Sequence, residues 1–174
     1  MDSARSRQGK VESLGRTAAS KRRLRKEEVI MAKRILVPLD GSESAEAAAT
    51  LAADLARSSG GHVRLLQVRP VPEHRVSSAG RVVAFADQEM ERIAAEGRDY
   101  LETVETRLGA VPTEAVVRFG EPAQEILVEA EAFDADLIVL TAERRGWLAR
   151  FTGGGLGERL LQASPVPVAL VRAA

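Results

Sequence analysis

Short apolar runs alternating with helix-length segments constrain this chain more than any other feature. Ile35-Leu36-Val37-Pro38-Leu39, Val63 to Val68, Thr113 to Phe119, Asp136 to Leu140 and Val166 to Val171 are each too brief for a helix and rich in β-branched residues. Between them lie stretches of helical period: Ala45 to Arg57, about Phe85 to Leu108, a segment opening at Pro122, and Glu158 to Ala163. The run Leu137-Ile138-Val139-Leu140 lacks polar alternation, as a strand buried on both faces requires. Strands separated by helices, without tandem hairpins, imply right-handed crossovers and a parallel sheet covered on both sides.

The boundaries carry their own chemistry. Asp40-Gly41-Ser42 ends the first strand, and Ser42 or Ser44 can cap the next helix, with Glu43 and Glu46 favourable near its N-terminus. Ser58-Ser59-Gly60-Gly61 stops that helix, and Pro70 and Pro72 stop the second strand. A looser segment, His74 to Val83, precedes the long helix, in which Gly97 is a small propensity cost. Pro122 suits a first helical turn.

Composition narrows the function. Aromatic residues make up 3% of the chain, so the core is aliphatic and stacking on bases is poorly supported. Cysteine is absent, which removes disulfides, thiolate catalysis and cysteine metal sites. No apolar run approaches the roughly 20 residues needed to span a bilayer, and no secretory h-region opens the chain, so an intracellular protein is expected.

Charge is balanced overall but unevenly placed. Residues 1–30 hold nine Lys/Arg against four Asp/Glu, net +5, which leaves 16 against 21, net −5, for the rest. An acidic body argues against a general nucleic-acid binder, because affinity for phosphate backbones depends on cationic surface. The basic tract Lys21-Arg22-Arg23-Leu24-Arg25-Lys26 reads either as an arm for an acidic partner or as a disordered extension, with Met31 an alternative start.

Other candidates give little. His62 and His74 have no partner at metal-ligand spacing, and no Gly-x-Ser-x-Gly elbow is present. Carboxylate pairs such as Glu129 and Glu131, or Glu89 and Glu91, fall on helices and read as solvated faces. Trp147 sits in an arginine-rich stretch (Glu143, Arg144, Arg145, Arg150), where an indole can cover a ligand, meet a partner or anchor its own loop.

The glycine turn Gly153-Gly154-Gly155-Leu156-Gly157 follows the fourth strand and enters a helix, the place where α/β proteins bind phosphate. It is neither a Gly-x-Gly-x-x-Gly dinucleotide pattern nor a P-loop. Two readings stand: an anion site, or a turn that fits the last helix to the sheet. Asp40, at the end of the first strand beside the switch point, likewise reads as a ligand contact or as a turn residue holding local amides.

Four segments together resemble the universal stress protein (UspA) family. They are Ile35 to Glu43, Val117 to Leu127, Ala135 to Leu140, and Gly154 to Leu161 with Pro165-Val166-Pro167-Val168. The resemblance runs from Lys33 to Arg172, about four-fifths of the chain. It implies an α/β fold with an open five-stranded parallel sheet of order 3-2-1-4-5 and two helices on each face. It further implies a cytoplasmic, non-catalytic stress-response module, dimeric through the edge strand Val166–Val171, with an ATP-type pocket and magnesium only alongside ATP. An ATP-hydrolysing enzyme and a ligand-free dimeric scaffold are the alternatives. Family members that bind ATP use Gly-x2-Gly-x9-Gly-Ser/Thr after the fourth strand. Those four positions fall here on Thr141, Arg144, Gly154 and Gly155, so one of four is kept. Thr141 crowds an approach that glycine leaves open, while Arg144 adds both bulk and positive charge. By the same alignment Pro38 and Val68 line an adenine pocket, Asp40 touches ribose or a bound metal, and Leu156 belongs to the cofactor-binding turn.

Overall fold

The computed structural model describes residues 32–72, 75–76, 82–84, 86–141 and 155–171. Within them the chain runs β1 (Arg34–Pro38), α1 (Glu43–Ser59), β2 (His62–Arg69), β3 (Arg75–Val76), β4 (Val82–Ala84), α2 (Ala86–Leu108), β5 (Thr113–Phe119), α3 (Pro122–Ala132), β6 (Leu137–Thr141), α4 (Leu156–Ala163) and β7 (Val168–Val171). The basic segment 1–30, Arg144, Trp147 and Gly154 lie outside the described residues, with the expectations placed on them.

Five strands pair in parallel in the order β5-β2-β1-β6-β7, which is 3-2-1-4-5 when these five are counted along the chain. The strand pleat divides the core in two. Ile35, Val37, Val63, Leu65, Leu137 and Val139 face α1 and α2, where a row of alanines (Ala45, Ala48, Ala49, Ala52, Ala56) brings α1 close to the sheet. Leu36, Leu66, Val68, Ile138 and Leu140 face α3 and α4 and pack on Ile126, Ala130, Phe133 and Leu160. Two helices therefore cover each face, as the uninterrupted apolar runs require.

Three details differ from the sequence expectations. The looser segment contains a short antiparallel pair, β3 with β4, which its irregular apolar spacing conceals. Gly97 is more than a weak point in a helix. A Cβ there would meet Gln67 Oε1 at 2.7 Å and Val117 Cγ2 at 2.9 Å, so the glycine lets α2 lie against β2 and β5. Glu129 is not on a solvated face. It is 3% exposed and sits between two arginines of neighbouring strands.

Candidate functional site at the carboxyl end of the sheet

A parallel sheet sends every strand out at one end, and the site residues follow from that. The β1–α1–β2 crossover leaves β1 toward one edge, while β6 and β7 extend the sheet toward the other. The gap beyond β1 and β6 is the switch point where open α/β sheets hold ligands. Pro38 ends β1, Thr141 ends β6, and Val68 is the penultimate residue of β2. Pro38 pairs with Leu66 in the β1–β2 register, and Asp40 and Val68 each lie two residues further toward the same end. Pro38, Asp40, Val68 and Thr141 thus gather at one end of the sheet. Pro38 and Val68 are buried, whereas Asp40 and Thr141 are half-buried and border the surface.

Three of the helices that begin at this end have described caps, and these differ. Ser42 caps α1, its Oγ accepting the Ala45 amide at 3.2 Å while its hydroxyl donates to Asp40 Oδ1 at 2.6 Å. A hydroxyl has one proton, so the Ser44 hydroxyl is the donor in its 2.9 Å contact with Ser42 Oγ. Asp40 Oδ1 also accepts the Ser42 amide at 3.1 Å. One oxygen of Asp40 is therefore spent on building the turn, and the other is not engaged in that turn. Glu121 caps α3, accepting the Gln124 amide at 2.9 Å, and its Oε1 pairs with Arg159 of α4 at 2.8 Å. Burial opposes ionisation of Glu121, but the Gln124 and Ala123 amides and Arg159 outweigh it and hold its carboxyl below the usual carboxylate range. Helix α4 differs: Gly155 stands at its N-cap, exposed and without a side chain, and among the described residues no side chain caps the first turn. Its leading amides point from Gly155 and the buried Leu156, with the partial positive charge of a helix start.

Sequence patterns did not single out Tyr100, which lies under the Asp40–Gly41 turn. Its hydroxyl is buried without a hydrogen-bond partner among the described residues. Burial comes first, followed by the negative charges of Glu46 and Asp40, in pushing the phenol up to about 12; Arg107 and the nearby Gly41 amide offset part of this without completing a bond. Helical spacing marks Tyr100 as core, but nothing local shows that its oxygen meets the first turn. The chain has one tyrosine, so tyrosinate absorbance reads this group alone. The folded protein is expected to titrate near 12 and the denatured chain near 10. The folded value is the raised one, so the stability from this group is complete below about pH 10 and is lost as pH climbs toward 12. A folded-state titration at the ordinary value would contradict the burial.

Among the described residues no group of three or more His, Cys, Asp or Glu is arranged to hold a metal ion, and no helix is long and apolar enough to cross a membrane.

An open, doubly wound parallel sheet with a turn aspartate and a helix start at its switch point defines a Rossmann-like α/β domain. The chain belongs to the universal stress protein family, whose sequence profile matches residues 31–172. A universal stress protein of Thermus aquaticus is 32% identical over 146 residues, covering 82% of this chain and all of the relative. Universal stress protein YxiE of Bacillus subtilis is 28% identical over 148 residues with the same coverage of both. The solved structure of UspA from Lactobacillus plantarum superposes with a TM-score of 0.64 at 23% identity, over 80% of this chain and 97% of that one. Two further structures with this fold were solved with nucleotides. One is a universal stress protein in complex with cAMP (TM-score 0.59, 19% identity), the other an Archaeoglobus fulgidus universal stress protein in complex with dAMP (TM-score 0.54, 20% identity).

Proposed function

We propose that this protein is a non-catalytic, dimeric stress-response module that binds an adenine nucleotide, ATP in the first instance, at the carboxyl end of its sheet. Topology supports the reading: Asp40 follows β1, Thr141 ends β6 and α4 is the next described helix, all at one end of the sheet. Nucleotides bound to two proteins of the same fold support the ligand class.

The residues fit the ligand in part. The amides at Gly155 and Leu156 suit phosphate oxygens, and the second carboxylate oxygen of Asp40 suits a ribose hydroxyl or a magnesium ion that arrives with ATP. Pro38 and Val68 offer apolar contact for a base. Thr141 narrows the approach where relatives of the ATP-binding pattern carry glycine, and Arg144 and Gly154 are assigned to the phosphate side by sequence alone. The Asp40 geometry supports binding without turnover. A carboxylate holding both the amide and the hydroxyl of Ser42 is a fixed acceptor rather than a free base.

Calorimetric titration of ATP, with and without magnesium, tests this. Saturable heat is expected, with no phosphate release, and Asp40→Ala should weaken binding about tenfold, roughly 1.4 kcal/mol. Absence of heat at millimolar nucleotide would favour the ligand-free scaffold. Phosphate release that Asp40→Ala abolishes would favour the hydrolase.

A further inference from the structure

At the opposite end of the molecule, α3 and the α4–β7 connection enclose a groove of about 510 Å³. Leu127, Val128, Pro165 and Val166 form its apolar walls, and Glu131 and Asp134 stand at its rim, where the chain turns into β6. Glu131 makes no ion pair among the described residues, and the Asp134 side chain is 81% exposed.

We propose that the basic segment Lys21–Lys26 of this same chain occupies that groove, docking in cis against Glu131 and Asp134.

The point where the chain enters the domain favours this occupant. The amides of Lys33 and Arg34 donate to Asp136 Oδ2 at 3.0 and 2.9 Å, and the Arg34 guanidinium pairs with Asp134 at 2.7 Å. Lys33, the residue before β1, therefore lies beside the rim, where the Arg34 guanidinium already rests on one of its carboxylates. Six residues separate Lys26 from Lys33, and extended chain covers about 20 Å over that length, enough to turn back along α3. Charge agrees: the segment through residue 30 carries net +5 and the remainder −5. Leu24, in the middle of the tract, matches an apolar floor between acidic ends. Tethering raises the effective concentration to the millimolar range, so a weak contact suffices.

The absence of native cysteine allows a direct test in the full chain. Ser20→Cys is paired either with Val128→Cys in the groove or with Ser58→Cys. Ser58 is exposed and as close to the exit point, because its neighbour Ser59 bonds the Ala32 carbonyl at 2.6 Å, but it lies on the other face. A short bis-maleimide should link the groove pair about fivefold faster than the control pair, at a rate independent of protein concentration. Molar salt, or Glu131→Gln with Asp134→Asn, should remove the difference. The salt arm needs no further substitution, so it stands even if the double variant folds poorly. Equal rates for the two pairs at low salt would overturn the proposal. A groove-pair rate proportional to protein concentration would overturn it too, by placing the arm on a second copy.

Discussion

Replacing Glu129 with alanine is expected to destabilise the domain by about 3 kcal/mol, lowering the melting temperature by about 10 °C. The Glu129 carboxylate accepts Arg64 Nη1 at 2.7 Å from β2 and Arg118 Nη1 at 2.8 Å from β5, and its own side chain is 5% exposed. Arg64 also pairs with Glu114 and lies 4.0 Å above the Phe133 ring, and Arg118 also pairs with Glu125 at 2.7 Å. One helix carboxylate thus binds two strands at the β5 edge of the sheet. Without it, two guanidinium groups keep their outer partners but lose the shared buried acceptor, which costs more than the pair contributes when intact. Glu129→Gln retains one acceptor oxygen and should lose about half as much. Chemical denaturation of the three proteins measures the effect. A loss for the alanine variant below about 1 kcal/mol would show that the network is a surface arrangement with little energetic weight.

Nothing local in the sequence marks Glu129 as buried. Read beside Glu131 it resembles half of a solvated acidic pair, and Glu131 is indeed exposed. Its partners lie 65 and 11 residues away, on strands whose adjacency appears only in the β2–β5 register that sets Arg64 opposite Glu114. Gly97 is unmarked for the same reason, since its neighbours Gln67 and Val117 come from two other elements. By contrast, the sheet was legible because each core strand is an uninterrupted apolar run, and crossover handedness then leaves few arrangements. The position of Pro38, Asp40, Val68 and Thr141 followed from topology, since parallel strand ends must share a side. Local competition at that end was not legible. Asp-Gly-Ser is compatible with a ligand contact or with a closed turn, and the coordinates show the turn using one oxygen of Asp40 while leaving the other.

The two sheet edges differ in a way that predicts how the protein assembles. Strand β5 carries Glu114 and Arg118, charges of the kind that discourage pairing with another chain. Strand β7 reads Val168-Ala169-Leu170-Val171, uncharged and only partly covered, with Leu170 41% exposed. The Ile138 amide donates to the Pro167 carbonyl at 3.0 Å, so residues 167, 169 and 171 direct their backbone groups toward β6. Val168 and Leu170 therefore direct theirs outward. A second copy adding β7 to β7 would use those outward groups, in keeping with the dimer proposed above. Leu170→Pro removes an outward donor without removing a bond to β6, as an edge strand tolerates. The variant is expected to weaken self-association by about a hundredfold, roughly 2.7 kcal/mol, and to run as a monomer at tens of micromolar while the parent protein remains a dimer. Light scattering during size exclusion reads this directly, with circular dichroism confirming that the sheet survives. A variant that stays dimeric with its sheet intact would move the interface away from β7, to a surface that does not need the outward amides.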